Sequence, residues 1–209
     1  MAPSPVHLNQ YAQQHGLTFQ QVLDRMEHTV AHTDPQQLSE KERRYWEYTR
    51  LNLQRMRKWL KLYRPSPAAL EVVKSIKTPM LFLVISEDWC GDAAQVIPCL
   101  YKLIESNPVL DMRFIDRDQH LNIMDMFLTD GKRKIPIVVA LDANGNELFR
   151  WGPRPKPAEM VYLEARDAGL SNEEVQKRLH AWYAKDRCQT VEQEFFPLIR
   201  TVDTLVSTQ

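Results

Sequence analysis

Met80-Leu81-Phe82-Leu83-Val84-Ile85 is an unbroken apolar run, which fits a strand covered on both faces better than a half-exposed one. The run stops at Ser86-Glu87-Asp88-Trp89-Cys90. Beyond it Ala93, Val96, Ile97, Leu100, Leu103 and Ile104 recur at helical spacing, and Asp92 falls in the first turn, where negative charge is favoured. The pattern predicts a buried strand feeding a helix, with Cys90 at the junction. At a helix N-terminus, backbone N–H groups without intrahelical partners stabilise a thiolate and lower the pKa of a thiol there.

The rest of the chain divides by the same signals. Met1 to Pro5 reads as a tail without fold. Phe19, Val22, Leu23, Met26 and Val30 follow helical spacing after Thr18, a capping residue, and Asp34-Pro35 ends that helix. A longer helix is predicted from Ser39 to Tyr63, with Trp46, Thr49, Leu53, Met56 and Leu60 along one stripe. Pro65 stops it, and Ser66-Pro67 reopens a short helix through Ile76. After the central helix, Leu110, Met112 and Phe114 alternate with Asp111 and Arg113 as a strand, and Asn122 to Leu128 reads as a short helix. Ile135 to Leu141 and Glu147 to Arg150 flank Asn144-Gly145, a hairpin signal. The stiff, proline-rich loop from Trp151 to Pro157 leads to a helix ending near Gly169. Ser171 with Glu174 forms a capping-box pattern opening a long last helix, which Pro197 breaks or restarts.

Trp89-Cys90-Gly91-Asp92-Ala93, with Pro98 in the same helix and Ile135-Pro136 later, resembles the thioredoxin superfamily over about residues 65 to 165. It is most similar to a bacterial thioredoxin-like group carrying W-C-G-D-A in place of W-C-G-P-C. The resemblance implies an α/β fold, a thioredoxin-like mixed four-stranded sheet flanked by helices, here with N- and C-terminal helical extensions. The expected organisation is an extension over 1–64, a core over 65–168 and a second extension over 169–209. The resemblance also implies a cis-proline at Pro136 beside the sulfur, and places Gly152 in a third loop of the same site. Two positions depart from the family: Ala93 stands where the second, resolving cysteine belongs, and Val84 replaces the buried acid of the first strand.

Formal charges balance at 27 basic and 27 acidic residues, so no global charge argues for nucleic acid or acidic lipid. Charge is uneven locally: Glu40 to Arg64 holds nine Lys or Arg against three Glu, and Met80 to Asp130 holds nine acids against three bases. The basic helix is expected to pack near the acidic body. Three cysteines without disulfide-framework spacing argue for a reducing compartment. With no signal-peptide pattern and no membrane-spanning apolar run, the expected setting is soluble and cytoplasmic.

Cys90 is the candidate nucleophile. Glu87, Asp88 and Asp92 set negative charge near it, which opposes the thiolate and offsets the helix terminus; Asp92 and Glu87 are therefore expected to tune the thiol. Cys99, nine residues along the same helix and about 13 Å away, is too far to resolve a disulfide at Cys90. Cys188 lies on an apolar stripe and reads as packing. A long last helix folding Cys188 back over the site is the alternative; the more economical mechanism is monothiol, in which Cys90 attacks a mixed disulfide and an external thiol releases it. Trp89, Ile135, Pro136, Gly152 and Arg154 are the expected substrate-binding residues, with Arg154 either holding a ligand carboxylate or standing as a plain surface arginine. The expected partner is a protein or low-molecular-mass thiol or disulfide, with no nucleic acid, membrane, metal or cofactor. His28 and His32 stand four apart without further ligands and read as surface residues. The alternative function is a binding module without turnover, using the groove between Trp89, Pro136 and Gly152; a helical interaction protein built on the extensions is a third.

Overall fold

The computed structural model describes residues 5–206, with side chains from 8 to 202. The order is α1 (Pro5–His15), α2 (Phe19–His32), α3 (Glu40–Leu62), α4 (Pro67–Ser75), β1 (Met80–Ser86), α5 (Gly91–Ile104), β2 (Leu110–Asp116), α6 (Leu121–Met124), β3 (Ile137–Leu141), β4 (Glu147–Trp151), α7 (Lys156–Asp167), α8 (Asn172–Asp186) and α9 (Gln189–Val206). The strands form one sheet in the order β2-β1-β3-β4. β1 runs parallel to β2 through the α5 crossover, and β1–β3 and β3–β4 pair antiparallel.

β1 and β3 are buried along their whole length because they are the inner strands. That is what an unbroken apolar run requires, since a strand with both faces covered has no position for a polar side chain. β2, at one edge, alternates buried and half-buried residues until Phe114 and Ile115. Leu17 covers that edge by exchanging backbone hydrogen bonds of 2.9 and 2.8 Å with Phe114, occupying groups that an open edge would offer to another chain.

Helix starts follow the local capping chemistry. Thr18, Ser39 and Ser171 each accept from the backbone three residues on, and their own amides donate to the side chains of Gln21, Glu42 and Glu174. α3 and α9, one from each extension, both pack on α5, and α9 also meets α4 and β4. Met26, Met56 and Phe195 share a continuous core with β1 and α5.

Several expectations need correction. Pro5 begins α1, which no sequence pattern announced, while residues 1–4 of the expected tail lie outside the described residues. The third strand starts at Ile137, two residues later than expected, after the Ile135–Pro136 cis peptide. The helix expected over 122–128 is one α turn followed by a 3-10 turn at Asp125–Phe127. The long final helix breaks at Arg187 and Cys188, both at positive φ, whereas Pro197 sits inside α9. α3 does pack on α5, yet its charges are met elsewhere: Arg57 pairs with Glu27, and the acids Asp88 and Asp116 are held by Arg25 of α2.

Candidate functional site

Cys90 is the N-cap of α5, reached through a turn in which its amide donates to the Glu87 carbonyl at 2.9 Å. Its thiol donates to the Ile135 carbonyl at 3.5 Å. Cys90 and the Ile135–Pro136 cis peptide, 45 residues apart, are thus in contact. Gly152 completes the arrangement. It lies at φ +123°, and a Cβ there would overlap the Pro136 carbonyl oxygen, so only glycine lets the two backbones approach this closely.

The sulfur is sheltered, with Cys90 only 6% exposed. Burial first, and the Asp92 charge second, push its thiol up to about 12, against the amides of Ala93 and Asp92 and the Arg154 charge, which pull it down. The helix terminus acts in the expected direction and is outweighed. Asp92 is itself confined. Its Oδ2 accepts from Arg154 Nη2 at 2.6 Å and Nε at 3.1 Å, and its Oδ1 accepts from the Tyr183 hydroxyl at 2.7 Å. Burial lowers and the Asp92 and Glu159 charges raise the Arg154 pKa, with a net rise; burial and Asp92 hold the Tyr183 phenol well above its ordinary value.

The other expected site residues fall into two groups. Trp89 and Ile135 line a cavity of about 390 Å³ together with Cys90 and Asp92. Trp89 is also clamped between Tyr45, stacked at 5.1 Å, and Arg117, 5.1 Å over its ring. Glu87, expected to tune the thiol, instead accepts from the Asp118 amide at 2.8 Å and is not among the groups that act on Cys90; its carboxyl is raised, chiefly by burial. Arg154, expected to hold a ligand carboxylate, is spent on Asp92 and on Glu159 at 2.6 Å, with its guanidinium 4.3 Å over the Tyr162 ring. Cys188 is not simple packing: it forms a disulfide with Cys99, with Cα atoms 6.1 Å apart, leaving Cys90 the one free cysteine among the described residues.

Two residues missed in the sequence wall the cavity from the extensions. Arg55 comes from α3 and His180 from α8. Trp59 Nε1 donates to Gln95 Oε1 at 2.6 Å, which fixes the Gln95 amide so that its Nε2 donates to His180 Nδ1 at 3.0 Å. His180 therefore carries its proton on Nε2. Burial first and the Arg55 charge second bring its pKa down to about 4, so the ring is neutral at pH 7. A cleft of about 710 Å³ between the end of α3 and the start of α9 is larger, but it is not lined by Cys90, and its Glu192 is taken by the Tyr63 hydroxyl and the Ser66 amide. Among the described residues, no cluster of three or more His, Cys, Asp or Glu is placed to hold a metal, and no helix is long and apolar enough to cross a membrane.

A family model described as Thioredoxin matches residues 39–169. The fold is similar to a protein of unknown function from Pseudomonas aeruginosa, at 18% identity and a TM-score of 0.54, covering 88% of this chain and 98% of that one. It is also similar to an HIV epitope-scaffold, at 16% identity and a TM-score of 0.52, covering 88% of this chain and 99% of that one. No curated protein sequence matches.

Proposed function

Because this chain belongs to the thioredoxin family, we propose that it performs monothiol thiol–disulfide exchange through Cys90, with an external thiol completing the cycle. The observation that carries this is the contact of the Cys90 sulfur, at the N-terminus of α5, with the carbonyl of the Ile135–Pro136 cis peptide on the wall of a cavity. In the first step the Cys90 thiolate attacks one sulfur of a disulfide R–S–S–R. A bond forms from Cys90 to that sulfur, the old S–S bond breaks, and the leaving thiolate takes the proton Cys90 gave up. A second thiol then attacks the mixed disulfide, forming a new small disulfide and restoring the Cys90 thiol. With alanine at position 93, no neighbouring sulfur competes for that second step.

The thiol's environment sets the speed. With its thiol pushed up by burial and the Asp92 charge, Cys90 is almost wholly protonated at pH 7, against a few per cent thiolate for an ordinary thiol. The greater nucleophilicity of a more basic thiolate recovers about half of that loss on a logarithmic scale. Exchange in the resting conformation is therefore slower than at a free thiol. Ligand entry has to rehydrate or re-pair the sulfur for faster turnover.

That same protonated thiol favours a second reading, a binding module that holds a partner segment against Trp89, Pro136 and Gly152 without turnover. Incubation with hydroxyethyl disulfide across pH 7–10, followed by intact mass, separates the two. Exchange predicts one adduct that forms faster as pH rises and is absent in Cys90→Ser. A wild-type protein that stays unmodified at pH 10 while the same reagent consumes a free thiol leaves only the binding module.

A further inference from the structure

Resting on the exchange reading, we propose that the cavity beside Cys90 is built for a small thiol or disulfide bearing a carboxylate, which Arg55 holds while the ligand sulfur meets Cys90.

Arg55 is half-buried and forms no ion pair among the described residues. Its Nη1 donates to Asn52 Oδ1 at 2.7 Å, and Asn52, itself fully buried, is fixed by donating to the Asp88 carbonyl at 3.0 Å. The guanidinium is thus aimed, and no carboxylate among the described residues pairs with it. That sets it apart from Arg25 and Arg154, which each grip two acids, and from Arg117, over the Trp89 ring, which pairs with Asp118. A half-buried cation without a counter-charge, facing a cavity, has an unmet demand for an anion that a bidentate carboxylate fits.

Gly91 shows where that demand points. A Cβ built on it would lie 3.1 Å from His180 Cε1 and 3.9 Å from Arg55 Nη1. Arg55 and the neutral, Nε2-protonated His180 therefore converge on the residue next to Cys90. Asp92 also lines the cavity, but both its oxygens are occupied by Arg154 and Tyr183, so its charge is partly offset there. The cavity's size is that of a small-molecule site. Tyr48 and Arg55 from α3 and Gln176 and His180 from α8 line it opposite the Cys90 segment's own residues.

The test compares three short disulfides that differ in charge: dithiodipropionate, hydroxyethyl disulfide and cystamine. Rates of adduct formation at Cys90, each divided by the rate for a free small thiol, are measured in wild type, Arg55→Gln and Arg55→Lys. A charge-assisted hydrogen bond predicts that wild type favours the anionic over the neutral reagent by about tenfold or more. Arg55→Gln brings the ratio close to one, and Arg55→Lys keeps part of it. Should Arg55→Gln not fold, the wild-type preference and its decline with added salt decide the matter. A wild-type ratio near one, a preference for the neutral or cationic reagent, or a ratio unchanged in Arg55→Gln overturns the proposal while leaving exchange at Cys90 standing. If Cys90 exchanges with none of the three, the exchange reading has failed and the anion site is decided separately. Methylthiopropionate and methylthioethanol are then titrated into Cys90→Ser by NMR. Shifts at Gly91 and His180 produced by the carboxylate alone and lost with Arg55→Gln support the site, and equal or absent shifts overturn it.

Discussion

Tyr183 donates its phenol hydrogen to Oδ1 of Asp92 at 2.7 Å, joining positions 91 residues apart. The C-terminal extension thereby reaches the second residue after the candidate nucleophile. Together with Arg154 on Oδ2, it fixes a negative charge beside a buried sulfur.

Replacing that charge tests how much of the Cys90 protonation it causes. In Asp92→Asn the carboxylate is lost while Arg154 keeps its positive charge nearby, so both changes favour the thiolate. The midpoint for alkylation of Cys90 by iodoacetamide is expected to fall by about 1–3 pH units from its raised position. Asp92 and Arg154 are only 11% and 12% exposed at the side chain, and breaking a buried pair leaves an uncompensated cation; the same variant should lose about 3–5 kcal/mol in urea denaturation. An unaltered alkylation midpoint would show that burial alone holds the proton.

His180 gives a pH signature of its own. Its folded-state pKa, brought down to about 4, lies below the unfolded value near 6.5, so the unfolded chain takes up the proton first as pH falls. The stabilisation is whole above pH 6.5 and is lost as pH drops toward 4. Between pH 7.5 and 4.5, wild type should lose about 2–3 kcal/mol more than His180→Gln, where no imidazole titrates. Parallel denaturation curves at the two pH values check this, and equal losses in the two proteins would refute it.

The Cys99–Cys188 disulfide ties α5 to the turn before α9 and closes a loop across 89 residues. Restricting so long a loop in the unfolded chain stabilises a domain by about 2–5 kcal/mol. Cys188→Ser should lose that much under non-reducing conditions, and wild type should lose a similar amount on reduction. Thiol counting in denaturant checks the pairing directly: one reactive thiol, Cys90, before reduction and three after it. Three thiols in freshly purified protein would mean that the pair does not form.

What was legible beforehand follows how local each signal is. The buried β1 run, the Ser39 and Ser171 caps and the junction at Cys90 are each written in neighbouring residues, and each of these elements starts within a residue or two of its expected place. Burial of the sulfur was not legible, because the residues that enclose it come from α3 and α8, far apart in sequence. For the same reason Arg154 looked available and Arg55 did not stand out: an arginine's role depends on which acids the fold brings to it. The disulfide escaped for a related cause. Cys188 sits where an apolar stripe suggests packing, yet it lies at a break between α8 and α9, at positive φ, and pairs with Cys99.

Gly152 tests whether the cis-peptide loop controls access to the sulfur. Its φ of +123° is a region that side chains rarely adopt, and an added Cβ would run into the Pro136 carbonyl oxygen and lie 3.4 Å from Ile137 Cα. Gly152→Ala must therefore shift backbone rather than a flexible side chain, at a cost of at least about 1–3 kcal/mol. The segment pushed aside includes Ile135, whose carbonyl accepts from the Cys90 thiol. Loosening that contact admits water to the sulfur, and since burial is the largest cause of the raised pKa, the thiolate fraction rises. The variant is expected to melt earlier and yet to alkylate faster at Cys90 at pH 8, where wild type is nearly inert. Faster alkylation has to appear below the melting transition, with far-UV circular dichroism unchanged, to separate local opening from unfolding. A variant that melts like wild type, or one that is destabilised without any gain in Cys90 reactivity, would mean that the Pro136 loop does not shield the sulfur.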